Sequence, residues 1–423
     1  MLYISRGSEK DEISNIELKQ EIWKALSVLG KKKKVLVIPP DFTRIHSRAG
    51  LITQIIYIYY KNKLVDILPA LGTHKKMSDK ELFNMFGDIP KELFRVHNWT
   101  RNVDTLGSVK SDYIEEKTGK QLCFSWPVQV NKLISKGGHD LIISIGQVVP
   151  HEVTGMSSFN KNIFIGTGGK ESIDKSHYIS AVYGIERIMG RAQNPVRDIL
   201  NYASTSIANN LPIIYILTVI GNGKNGNLVI KGLFIGDDEE CYKKASELSA
   251  KINIIPVERP LSDVVVYLDP IIYKSIWLGN KSIYRIRMAI RDSGRLTVIA
   301  PGIKAFSENT QIDRVIRKYG YTGKEKILHE IEKNDELKEN LCAASHLIHG
   351  STEGRFSIMY CPGFLSKREI ESVGYEHGNL KEINDRYKPG KLKMGSNILA
   401  GGKEIYFISN PGLGLWVSPF YQI

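Results

Sequence analysis

His151 and His177 bracket the segment HEVTGMSSFNKNIFIGTGGKESIDKSHY, which carries three lysines between them, Lys161, Lys170 and Lys175. Imidazole donates and accepts protons near neutral pH, and a partly desolvated amine is a nucleophile. Two further polar clusters follow short apolar runs: Asp41-Phe42-Thr43-Arg44 after VLVIPP, and Gly72-Thr73-His74 after VDILPAL. His151 itself follows DLIISIGQVVP. A guanidinium grips a carboxylate in a two-pronged way that an ammonium cannot. The set therefore suits acid–base chemistry on a small anion. Taken singly, each residue also fits a helix cap or a loop. Three run ends that together supply an arginine and two histidines argue for a site.

Those residues need elements to hold them at one place. VLVIPP (35–40), VDILPALGTH (65–74), DLIISIGQVV (140–149), IIYILTVI (213–220) and LVIKGLFIGD (228–237) read as strands. Helical stretches at 18–30, 47–62 and 77–87 lie between them, the last opening on a Ser-x-x-Glu capping box. A second set follows VERPLS: strands VVVYL (264–268), LTVIAPG (296–302) and SIMYCPG (357–363), with helices at 310–319 and 323–345. The pattern predicts an α/β protein of two domains, 1–259 and 260–423, divided at Pro256 and Pro260. In α/β sheets ligands bind beyond the carboxyl ends of the strands, where Arg44, His74 and His151 fall.

Asp-x-Thr-Arg at 41–44, Gly-Thr-His at 72–74 followed by Met-Ser-Asp-Lys-Glu-Leu, His-Asn-Trp at 97–99, and then His151, Lys161 and His177 in order resemble the nickel-dependent lactate racemase superfamily. The likeness is good over residues 35–240 and loose beyond. It implies a two-domain lactate-racemase-like architecture with the site in the interdomain cleft and the C-terminal α/β domain closing over it. It also implies a nickel pincer nucleotide, a pyridinium ring with two sulfur-bearing arms that hold nickel together with a ring carbon. Lys161 matches the lysine that attaches this cofactor covalently as a thioamide, with Lys170 and Lys175 as rivals. His177 matches the fourth nickel ligand, and imidazole suits nickel. His74 and His151 match the paired acid–base groups needed on both faces of a 2-hydroxy acid that loses and regains its C2 hydride. Arg44 matches the substrate-carboxylate ligand, and Asp41 is placed to orient Arg44 or a histidine.

Departures from the lactate enzymes bear on substrate. Their Ser-Gly-Gly-Arg-Lys stretch is here Ser157, Ser158, Phe159, Asn160, Lys161. Their Tyr-Gln-x-x-Lys element is here YKSIWLGNKSIYR, which keeps Tyr273, puts Trp277 at the lysine's place and leaves Lys281 as a substitute substrate contact. With His346, His349 and Arg355, this suggests a donor-rich pocket that suits a polyhydroxylated acid better than lactate. The expectation is a 2-epimerase of an aldonate-type sugar acid, such as gluconate, with racemisation of lactate or another short-chain 2-hydroxy acid as the alternative.

Composition narrows the remaining classes. The chain has 423 residues with 42% hydrophobic and 24% charged, ordinary for a globular protein. Its net charge of +13 is spread along the sequence, and the one dense run, Lys31–Lys34, sits ahead of a strand, which favours a small anionic substrate over nucleic acid. Four cysteines show no metal or disulfide spacing, and no apolar run is long enough to span a membrane, so a cytoplasmic enzyme is expected. Partners would be the hydroxy acid and the proteins that build the cofactor. A nucleotide-dependent oxidoreductase is the rival from another class. It lacks support from a Gly-x-Gly-x-x-Gly turn after the first strand, and GTGGK at 166–170 lacks phosphate-loop spacing.

Overall fold

The computed structural model describes residues 1–421, and these fold into two compact units. The first comprises Met1–Ile179 and Arg187–Asn253, the second Ser180–Glu186 and Ile254–Ile423.

Strands of the first unit are β1 (Leu2–Gly7), β2 (Val35–Ile38), β3 (Leu64–Ile67), β4 (Val103–Val109), β5 (Trp126–Asn131), β6 (Leu141–Gln147), β7 (Pro150–His151), β8 (Gly155–Met156), β9 (Ile213–Asn222) and β10 (Leu228–Gly236). Its main sheet runs β1-β10-β9-β6-β2-β3, parallel from β9 to β3 and antiparallel across β1, β10 and β9. Every residue of β2 and β6 is buried, as expected for parallel strands covered on both faces. Helix α1 (Asn15–Val28) buries Leu18, Ile22 and Leu26 on one stripe, and α2 (Ala49–Tyr60) buries Ile52, Ile55 and Ile56. Both join the cluster that holds Val35, Val37, Ile143 and Ile216. The Ser78–Glu81 capping box starts α3 (Asp79–Phe86) as its sequence predicts. The β4–β5 hairpin and β1 have no counterpart in the sequence reading.

Strands of the second unit are β11 (Ile254–Pro256), β12 (Leu261–Tyr267), β13 (Ile290–Ala300), β14 (Ser357–Pro362), β15 (Glu376–His377), β16 (Gly395–Ile398), β17 (Glu404–Ile408) and β18 (Leu415–Val417). Its sheet runs β15-β14-β13-β12-β17-β16, parallel except at β16. Strand β11 pairs with β18, so the change of unit falls after Asn253, a few residues ahead of the prolines that suggested a boundary. The helix expected over 323–345 is three: Lys324–Lys333, Asp335–Lys338 and Leu341–Gly350. Asn334 and Asn340 leave helical geometry at the two breaks, where asparagine side chains compete for the backbone.

Candidate active site in the first unit

Beyond β2, Pro39 and Pro40 lead to Asp41, which caps a short turn, Phe42–Ser47. One carboxylate oxygen accepts from the Thr43 amide at 3.0 Å and the Thr43 hydroxyl at 2.5 Å, and the other is bonded to Nδ1 of His74. Asp41 is only 6% exposed, whereas the His74 ring is half-buried, so the pair joins a buried carboxylate to a ring that solvent still reaches. A carboxylate accepts, so the neutral His74 ring carries its proton on Nδ1 and presents a lone pair at Nε2. Arg44 belongs to the same turn, its amide donating to the Asp41 carbonyl at 3.0 Å.

Two backbone bonds fix the loop that carries His74. Ala70 donates to the Pro39 carbonyl and Gly72 to the Gly166 carbonyl, each at 2.8 Å. Gly72 has φ +54°, a region that glycine enters without penalty. The second bond ties the His74 loop to the π turn Asn162–Gly166, which directly follows Lys161.

Lys161 is half-buried. Burial, with the charge of Arg44 next in size, brings its ammonium down to about 8, while Glu152 and Asp41 pull the other way. A substantial neutral fraction near neutral pH is what a nucleophilic amine needs. Lys170 is instead paired with Asp174 at 2.6 Å, and Lys175 with Glu171 at 2.6 Å and the Ser125 carbonyl at 2.7 Å. Of the three, Lys161 has the environment of a reactive amine.

His177 lies on the helix Lys170–Tyr183 and donates from Nδ1 to the Ile173 carbonyl at 2.7 Å. Its lone pair is therefore at Nε2. Burial holds the ring at about 4, with Lys161 and His74 also lowering it and Glu152 raising it. The neutral imidazole that binds a metal is thus the resting form, and a second-nitrogen bond to a carbonyl is the usual support for such a ligand. These mutual influences place Asp41, Arg44, His74, Glu152, Lys161 and His177 in one electrostatic neighbourhood.

His151 ends the β7 strand and is buried. Its Nδ1 accepts from the Val153 amide at 3.1 Å, which puts the proton of the neutral ring on Nε2. His74 and His151 are therefore opposite in kind, one presenting a base and the other an acid at Nε2. His97, from the His-Asn-Trp motif, is a structural group: it accepts from Asn131 Nδ2 and donates to the Gly168 carbonyl, both at 3.0 Å.

Tyr273 and Lys281 lie in the second unit, Tyr273 buried after β12 and Lys281 at the start of the helix Lys281–Tyr284. Two of the donors taken as a polyhydroxyl-binding set, His346 and Arg355, are spent internally. His346 meets the Tyr284 hydroxyl at 2.7 Å and the Tyr321 hydroxyl at 2.9 Å, and Trp277 lies against its ring at 4.3 Å. Arg355 is bonded to Asp292 and to the carbonyls of Arg287 and Ile290. Sequence reasoning overlooked Glu152 and Arg197. The signal for Arg197 was an arginine inside the apolar stripe Val196, Ile199, Leu200, all buried.

The residues present fit the pincer cofactor. Gln147 Nε2, at the carboxyl end of β6, is buried with no hydrogen-bond partner among the described residues, a donor open to a ligand. Among those residues no cluster of three or more His, Cys, Asp or Glu side chains is placed to hold a metal unaided. A lone imidazole such as His177 suits a metal whose other ligands come from a cofactor.

Residues 9–186 match the family model of the lactate racemase N-terminal domain. A curated relative, lactate racemase of Thermoanaerobacterium thermosaccharolyticum, is 26% identical over 285 residues, 64% of this chain and 60% of the relative, so the chain spans under two thirds of that protein. The solved structure of the lactate racemase apoprotein from the same organism superposes with a TM-score of 0.69 at 17% identity, covering 97% of this chain and 94% of that one. A solved Thermotoga maritima protein gives a TM-score of 0.82 at 24% identity over 97% and 99% of the two chains. These two likenesses speak to fold, and the segment that matches the lactate racemase N-terminal domain, residues 9–186, holds Asp41, Arg44, His74, His151, Lys161 and His177.

Proposed function

We propose that the protein inverts C2 of a 2-hydroxy acid, working with a nickel pincer nucleotide attached to Lys161. The observation that carries this reading is the meeting of a low-pKa amine, a carbonyl-fixed neutral His177 and the Asp41–His74 pair in one neighbourhood. Lys161 and the Nε2 of His177 would hold the cofactor. When bound, that group supplies the acceptor for the C2 hydride. His74 Nε2 takes the hydroxyl proton, with Asp41 stabilising the imidazolium that results. Arg44 holds the substrate carboxylate as the pivot about which the planar keto acid turns to present its other face. His151 Nε2 then gives a proton to the carbonyl oxygen from the opposite side. Run backward, the two histidines exchange roles.

On substrate, the sugar-acid version rests on Trp277 standing where the lactate enzymes have lysine, since His346 and Arg355 are already engaged. Tyr273 and Lys281 are the proposed contacts from that unit. The free state of Cys123, Cys241, Cys342 and Cys361 supports a cytoplasmic enzyme, and among the described residues no helix is long and apolar enough to cross a membrane. Partners would be the proteins that assemble the cofactor.

The test is protein co-produced with those proteins. Wild type should carry an added mass that Lys161→Ala loses. Loaded enzyme is then offered lactate, malate and gluconate separately, and C2 configuration is read. Efficient conversion of lactate alone would reject the sugar acid, and no conversion of any 2-hydroxy acid by loaded protein would reject the reaction.

A further inference from the structure

One residue ahead of Lys161, with only Asn160 between, two consecutive residues with side chains, Ser158 and Phe159, have φ of +67° and +59°. Left-handed geometry is costly for an L-residue, and it persists only where the surroundings over-determine it. Here they do. The hydroxyls of Ser157 and Ser158 both donate to the Gln147 carbonyl at 2.7 Å. The Phe159 ring lies 4.2 Å from Tyr215 and stacks on Tyr242 at 5.2 Å.

Arg197 closes the arrangement. Its guanidinium is 4.2 Å from the Tyr242 ring centre, donates to the Met156 carbonyl at 2.6 Å and is bonded to Asn160 Oδ1. Its two arms thus grip residues on either side of the left-handed pair. Arg197 is 1% exposed, its acceptors are neutral oxygens, and Nε has no hydrogen-bond partner among the described residues. Burying a guanidinium without a carboxylate is expensive. Simple packing would be served by a neutral side chain, so the charge calls for a reason.

The geometry points to Arg197 as a positioning residue for Lys161: it staples Met156 to Asn160 across the strained Ser158–Phe159 turn and so sets where the amine stands and what charge it faces. The role given to Lys161 comes from the proposed function, and the staple deepens it. Arg197 acts on the ammonium in the same direction as burial and Arg44, which agrees with this placement.

Competitive acylation tests it without cofactor. Full-length protein, produced without the cofactor-building enzymes, is labelled with trace acetic anhydride from neutral to alkaline pH, and Lys161 is compared by peptide mass spectrometry with exposed Lys381. Wild-type Lys161 should label on a curve displaced to lower pH. Arg197→Gln should move that curve toward Lys381 by about one pH unit, roughly tenfold in labelling at fixed pH. Arg197→Lys, which keeps the charge and loses the fork, should restore part of the displacement. Should Arg197→Gln fail to fold, Asn160→Ala, which releases one arm, decides: Lys161 labelling should change severalfold in a protein that still melts cooperatively. A folded variant whose Lys161 curve overlays wild type overturns the staple. The anchor reading is judged separately by the mass lost in Lys161→Ala, so either can fail alone.

Discussion

Asp41 shows at the residue scale what the order of residues left open, a carboxylate oxygen bonded to Nδ1 of His74. An Asp41→Asn amide can donate to Nδ1 and turn the ring to the wrong tautomer, so the base at Nε2 is lost. Turnover should fall by ~10²-fold or more, the usual contribution of a positioned general base, with the fold retained. Racemisation kinetics beside a thermal melt check it, and an unchanged kcat would remove His74 from the base role. Arg44→Lys should mainly raise KM, because a point charge replaces a fork. Stability has its own residue-scale signature. Burial holds His97 at about 4 against an ordinary 6.5, outweighing the pull of the Gly168 carbonyl, and His177 behaves alike. The unfolded chain takes these protons near 6.5 and the folded chain only near 4, so stability is lost as pH falls through that window and is unaffected above it. For His97 the loss reaches ~3 kcal/mol by the lower end. In His97→Gln, melts across the window should show a shallower pH dependence than wild type. The candidate residues were legible here because their types and their order along the chain are the signal. Arg197 and Glu152 were not, since only folding brings their charges within reach of Lys161.

Elements were legible where local chemistry dictates them. The buried runs of β2, β3 and β6 and the capping box at Ser78 speak within a few residues. Strand β1 was not, because its reason to exist is β10, more than two hundred residues away. The π turn Asn162–Gly166 escaped for a similar reason: it is an accommodation between Lys161 and the glycines that follow. Those glycines set a prediction. A Cβ on Gly168 would stand 1.9 Å from the Phe164 carbonyl oxygen, and no side-chain movement relieves a backbone clash. Gly168 also supplies the carbonyl that His97 binds. Gly168→Ala should therefore lower stability by ~1–3 kcal/mol, seen as a drop in Tm. It should also reduce cofactor retention, as the turn joins the Lys161 segment to the helix that bears His177. A variant with unchanged Tm would mean that the turn opens freely.

The whole molecule divides in a way that no composition shift announces, since Ser180–Glu186 belongs to the second unit although the chain around it belongs to the first. Charge is one of its ties. Arg287, 3% exposed, bonds Glu186 at 2.6 Å and the His349 carbonyl at 2.7 Å, and Lys324 donates to the Val182 carbonyl at 2.6 Å. Burial pushes the Glu186 carboxyl up, yet Arg287 and Arg355 outweigh it and leave the group below its usual range. A fragment of residues 254–423 would keep Arg287 and lose Glu186, leaving a buried cation unpaired at a cost of roughly 3–5 kcal/mol. That fragment should be poorly folded. Arg287→Met within it replaces the orphaned charge with an apolar chain of similar length and should raise its melting temperature. In the full-length protein the same substitution should lower it, because there it strands Glu186. Opposite signs in the two contexts follow only if the ion pair is what recruits 180–186 to the second unit. Calorimetry on the four proteins decides, and a matching sign in both would assign that recruitment to apolar packing instead.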